Sequence, residues 1–90
     1  MNVTLKNCMD ETINSKIEGA PANELSNLIV QIYEKIPIEN KNKINLIYNT
    51  ILHNLYVFGY DYYTSEYLAS IALTALDNYK KTNWGKKWKT

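Results

Sequence analysis

Arginine is absent from this 90-residue chain, and lysine carries every basic charge. There is no arginine for base reading, and no recognition helix is apparent, so sequence-specific nucleic-acid binding is not expected. The single cysteine, Cys8, cannot close an internal disulfide, which excludes a stapled secreted scaffold and points to a reducing compartment. It lies on the apolar side of its segment and reads as a small core hydrophobe. The single histidine, His53, has no acid or cysteine at ligand spacing along its segment and lies off the apolar stripe. It reads as a surface residue rather than a metal ligand or general base. The three glycines, Gly19, Gly59 and Gly85, are scattered at segment ends, so no phosphate-cradling loop exists. No apolar run approaches the roughly 20 residues that cross a bilayer. The opening residues, Met1 to Asn7, lack the basic-then-apolar pattern of a secretory leader, and the expectation is a cytoplasmic protein. No two of the nine acids form a pair specific enough for acid–base chemistry. Neither enzymatic activity nor a cofactor or metal is expected.

What the chain does contain is a strong charge asymmetry. Its formal net charge of +1 conceals −4 over residues 1–79 and +5 over residues 80–90. The C-terminal segment holds Lys80, Lys81, Lys86, Lys87 and Lys89, both tryptophans, Trp84 and Trp88, and no acid. Lysines just beyond a helix also suit the negative end of its dipole, so the charge alone is compatible with a purely structural role. Two exposed indoles are harder to account for without a packing site.

Four segments carry helical periodicity, and none alternates as a strand does. The first, over about residues 4–18, repeats Leu5, Met9, Ile13 and Ile17 before Gly19 and Pro21 break it. Its Asn and Ser content gives it poor intrinsic propensity, so it depends on docking. The second, over about 22–36, lines Leu25, Leu28, Ile29, Ile32 and Ile36 along one face, with Pro21 in the first turn or Asn23 as cap. Pro37 ends it, and the short link that follows returns the chain antiparallel. The third, over about 41–58, places Ile44, Ile47, Tyr48, Ile51, Leu52, Leu55 and Phe58 on one stripe, with Asn40 or Asn42 as cap and Gly59 as stop. Leu46, Tyr56 and Val57 widen that stripe, as in a helix packed against two neighbours. The fourth, over about 65–80, starts from Thr64 as cap and buries Leu68, Ile71, Ala72, Ala75, Leu76 and Tyr79. Its alanines allow close approach to the third helix. These segments predict an all-α, up-down-up-down four-helix bundle occupying residues 1–79, followed by a basic tail over residues 80–90.

Two features stand above this framework. Tyr56, Tyr60, Tyr62, Tyr63 and Tyr67 cluster around the connection between the third and fourth helices, as an interface or as the capped end of a core. Trp84-Gly85 predicts a turn after the fourth helix that folds the tail back over helices 3 and 4. One indole would then fill the groove between them, with Lys86, Lys87 and Lys89 displayed on a defined surface. The alternative is a tail resting on anionic lipid, with its tryptophans at headgroup depth.

The order of these features resembles the immunity proteins of pediocin-like (class IIa) bacteriocins. The similarity is carried by Ile47-Tyr48-Asn49-Thr50-Ile51 in the third helix, by Tyr63-Thr64-Ser65-Glu66 at the start of the fourth, and by Asn83-Trp84-Gly85-Lys86-Lys87-Trp88 in the tail. It covers about two thirds of the chain; Leu25 to Ile36 agrees only as an apolar pattern, and residues 1–20 depart from the family's pattern. The resemblance implies a cytosolic, non-enzymatic protein that protects a cell from a pore-forming peptide. It would act stoichiometrically, from inside, on the bacteriocin together with its receptor, the mannose phosphotransferase permease. Carried onto this chain, the recognition surface is the end of helix 3, helix 4 and the tail. Trp84 and Trp88 would be anchors, and Lys80, Lys81, Lys86, Lys87 and Lys89 electrostatic partners, with Tyr62 and Tyr63 secondary. The competing expectation is another small helical interaction module, such as a phage- or plasmid-encoded inhibitor or an antitoxin-like bundle.

Overall fold

The computed structural model describes the backbone of residues 4–88 and the side chains of residues 4–81. Four helices run in order: α1 (Leu5–Lys16), α2 (Ala22–Glu34), α3 (Ile44–Phe58) and α4 (Tyr62–Trp88), with a short 3-10 turn at Ile38–Asn40. They form an antiparallel up-down bundle in which α1 packs on α2 and α4, and α3 packs chiefly on α4 and only thinly on α2.

Local chemistry sets most helix ends. Thr4 caps α1, its Oγ1 accepting the Asn7 N–H at 3.1 Å. The helix stops at Lys16, two residues before the expected end, because Ile17 turns extended and Gly19 takes a positive φ of 76°. Despite its weak propensity α1 is firmly docked: Met9 and Ile13 are wholly buried. A polar clasp joins it to α2, in which the Ser26 hydroxyl donates to Asp10 while Lys6 reaches Asp10 at 2.9 Å and Asn23 at 2.6 Å. Asn23 therefore serves the clasp rather than capping α2, whose cap position is Pro21. Pro37 ends α2 as expected, and Ile36 is nonetheless buried at 6% exposure just beyond the helix.

The start of α3 lies three residues later than the expected start near residue 41, since the 3-10 turn takes up the link. Lys43 occupies its cap position without a side-chain bond, so neither Asn40 nor Asn42 caps it. Gly59, at φ 134°, closes the helix: its N–H bonds the Leu55 and Tyr56 carbonyls, and the Tyr60 N–H also reaches Leu55 O at 3.1 Å. Asp61, not Thr64, caps α4. Its carboxylate accepts the Thr64 N–H at 2.8 Å and the Thr64 hydroxyl at 2.9 Å. Aspartate is as good a cap as threonine, and it comes first in the chain.

The core is a column of Met9, Ile13, Ile29, Ile47, Ile51, Leu55, Leu68 and Ile71. Each such side chain contributes about 1.5–3 kcal/mol by leaving water. Ala69, Ala72 and Ala75, fully buried, let α4 approach its neighbours closely. The breadth of the α3 stripe does not reflect two full interfaces. Because the α2–α3 seam is thin, Leu46, Tyr56 and Val57 stay exposed, as do Ile44 and Phe58 at the ends of the stripe.

The largest correction concerns the C-terminal segment. The backbone of α4 remains helical through Trp84 and Gly85 to Trp88, so the turn and fold-back expected there do not form. One glycine costs a helix only about 1 kcal/mol, which does not oblige the chain to turn. Asp77 and Lys81, an i,i+4 ion pair at 3.0 Å, span the segment where the helix was expected to stop.

Candidate functional site

The fold gathers lysine at one end of the bundle. Eight of the ten lysines lie in two stretches: Lys35, Lys41 and Lys43 around the α2–α3 connection, and Lys80, Lys81, Lys86, Lys87 and Lys89 at the C-terminus. Antiparallel packing brings the first stretch against α4, where the Lys80 ammonium donates to the Lys41 carbonyl at 3.4 Å. Lys41 in turn holds its own ammonium 4.9 Å from the centroid of the Tyr33 ring, a cation–π contact. Lys81 is the exception, since Asp77 pairs with it on the exposed surface. Lys35, Lys41, Lys43 and Lys80 have no carboxylate at ion-pair distance among the described residues.

Between these stretches opens a cavity of about 610 Å³ lined by Tyr33, Ile38, Lys41, Asn42, Tyr79 and Lys80. Ile38, the first residue of the 3-10 turn, is 84% exposed. Burial first, and then the neighbouring Tyr79, raise the Tyr33 phenol above its ordinary pKa. The helical backbone sets positions 80, 84 and 88 at one-turn intervals along α4. The side chains of Trp84, Lys86, Lys87 and Trp88 lie outside the described set, and Lys89 lies outside the described residues altogether.

Tyr62 and Tyr63 stand at the other end. Tyr62 meets Tyr56 edge-on at 6.3 Å and Tyr63 at 6.2 Å, while Phe58 stacks on Tyr60 at 6.0 Å. Tyr56, Val57, Phe58, Tyr62 and Tyr63 are all exposed, making an aromatic surface on the α3–α4 turn. From Ile44 to Tyr79 the sequence has no lysine, while Asp61 and Glu66 are close by in the chain. Tyr62 and Lys80 are separated by 18 residues of a single helix, about 27 Å at 1.5 Å per residue. The residues expected to form one recognition surface thus fall into two, a cationic pole and an aromatic pole.

The remaining reactive groups are isolated. His53 is exposed on α3 beside Leu52, Tyr56 and Tyr62. Cys8 is buried, and burial followed by the charge of Glu11 raises its thiol pKa, keeping it protonated. Among the described residues no group of three or more His, Cys, Asp or Glu is placed to hold a metal ion. No helix among them is long and apolar enough to cross a membrane.

The sequence reading missed Lys35, Lys41, Lys43, Tyr33 and Ile38. Their signal was three lysines flanking a proline-bounded link, which becomes a site only once antiparallel packing sets that link beside Lys80. Compared with known proteins, the chain matches no family model, no curated protein and no solved structure.

Proposed function

We propose that this protein is a bacteriocin immunity protein of the pediocin-like kind, recognising the bacteriocin–receptor assembly at the inner side of the membrane. The observation that carries the reading is the meeting of Lys41 and Lys80. It extends the lysine- and tryptophan-bearing end of α4 into a broader cationic pole on a four-helix bundle, the architecture that the family resemblance implies. The receptor component, the mannose phosphotransferase permease, follows from that resemblance alone. Trp84 and Trp88 are the anchors; Lys80, Lys81, Lys86, Lys87 and Lys89 supply attraction to an acidic partner or to anionic lipid at the membrane face. Recognition is stoichiometric and involves no turnover, and the protein works from the cytoplasm.

Expression in a class IIa-sensitive strain, followed by challenge with a panel of class IIa peptides, tests this directly. At least one peptide should lose potency; if all retain it, the reading fails. Trp84→Ala with Trp88→Ala should abolish protection while helical content by circular dichroism stays nearly constant. Full protection by a chain cut after Tyr79 would remove the tail from the mechanism.

The exposed aromatic pole favours a second reading, a helical interaction module of inhibitor or antitoxin type that binds a protein through Tyr56, Phe58, Tyr62 and Tyr63. Gene neighbourhood separates the two, since a short cationic prepeptide with a double-glycine leader and its exporter accompany an immunity gene.

A further inference from the structure

The cavity at the cationic pole has a composition that the core does not explain. Among the described residues its lining includes two lysines and no carboxylate. Both ammonium groups are held in place, Lys41 over the Tyr33 ring and Lys80 on the Lys41 carbonyl. An ammonium has three donors, so each keeps donors for a further acceptor. Asn42 and Tyr33 line the same cavity, and the volume of about 610 Å³ falls within the range of small-molecule sites. Ile38, on the same rim, is the most exposed large hydrophobic residue among those described. An exposed apolar side chain on a lysine-bearing rim is the chemistry of a surface that meets anionic headgroups and the acyl region just beneath them.

We propose that this cavity binds the phosphodiester headgroup of an anionic phospholipid, with Lys41 and Lys80 on the phosphate and Ile38 in the acyl boundary. Charge complementarity selects this occupant. Two cations without a carboxylate partner disfavour residues 82–90 of this chain or of a second copy, since that stretch carries three lysines and no Asp or Glu. They also disfavour a purely apolar ligand, which would cover both ammonium groups without offering either an anion. Ile38 distinguishes the lipid from free phosphate, which gives that side chain nothing to bury against. The site adds a specific contact to the membrane-facing part of the proposed function, and it does not depend on the bacteriocin part.

The test is an NMR titration of the full chain with dihexanoyl phosphatidylglycerol below its micelle concentration. Saturable one-to-one shifts at Tyr33, Ile38 and Asn42 are expected. Equal shifts from inorganic phosphate at the same concentration would reassign the site to free anions, and equal shifts from dihexanoyl phosphatidylcholine would remove the charge recognition. No saturable shift at these residues overturns the proposal. In a second arm, partition onto phosphatidylglycerol vesicles should fall about thirtyfold for Lys41→Gln with Lys80→Gln. Lys16→Glu, the same change of two charge units at an exposed position of α1, should change it less than about threefold. Equal losses would mean diffuse attraction and overturn the pocket. Lys41→Arg with Lys80→Arg should restore binding if the glutamine pair misfolds. Neither arm contains a bacteriocin, so failure here and failure of the immunity challenge are separate results.

Discussion

Single residues carry two of the clearest expectations. Ser65 is wholly buried in the first turn of α4, and its hydroxyl has no hydrogen-bond partner among the described residues. A buried hydroxyl without a partner costs stability, and alanine is also the better helix former. Ser65→Ala should therefore raise unfolding free energy by about 0.5–1 kcal/mol in urea titration; a loss would mean that the hydroxyl is satisfied in solution. Asp61 works in the opposite sense. The Thr64 N–H, and then the Thr64 hydroxyl, hold its carboxyl below the ordinary value of 3.8. Because the folded pKa is the lower one, the cap contributes in full above the unfolded value, and its contribution disappears as pH falls through the folded value. Asp61→Ala should lower the melting temperature at pH 7, and the gap from wild type should close as pH drops below 3.8. A gap that stays constant with pH would show that the charge is irrelevant to the cap.

At the scale of elements, α1 and α4 show how context overrides propensity. A weak helix, α1 is held by Met9 and Ile13 in the core and by the Lys6–Asp10–Ser26 clasp. In α4, Gly85 is accommodated within a helix that reaches Trp88. This yields a sharp comparison. If the segment is helical when it functions, Gly85→Ala should raise helical content slightly and preserve protection, whereas Gly85→Pro should break the last turn and lose it. Loss of protection by Gly85→Ala would restore the turn that Trp84-Gly85 resembles. Asp61 and Thr64 make a related point, because both are good caps and only the fold shows which one the helix uses.

Over the whole molecule, the decisive feature is polarity along the bundle axis. Cationic and aromatic surfaces lie at opposite ends of α4, about 27 Å apart between Tyr62 and Lys80. Sites so separated, with no shared partner, act independently. Under the proposed function Tyr63→Ala should leave both stability and protection near wild type, since that side chain is 82% exposed. Trp84→Ala should cost protection and leave melting temperature little changed. If Tyr63→Ala abolished protection and Trp84→Ala did not, the aromatic pole would be the working surface and the interaction-module reading would prevail.

By itself the sequence determined the number of helices, the centre of the stripe each one buries and the separation of charge along the chain. Those properties are local: residues spaced three and four apart share a helix face whatever that face meets. Ile47, Ile51 and Leu55 could therefore be assigned to the core from spacing alone, and the basic, tryptophan-bearing segment was plain from composition. Only the tertiary structure decided which residues of different elements become neighbours. The order of packing, α1 against α4 and α3 against α4 with a thin α2–α3 seam, left the broad face of α3 exposed and moved Tyr62 and Tyr63 away from the tail. The same packing brought Lys41 to Lys80 across 39 positions of sequence. Periodicity carries no information about such a meeting, because it arises from the antiparallel return of the chain and the length of the links between helices. A charged C-terminal segment was legible beforehand; the cationic cavity beside it was made by the fold.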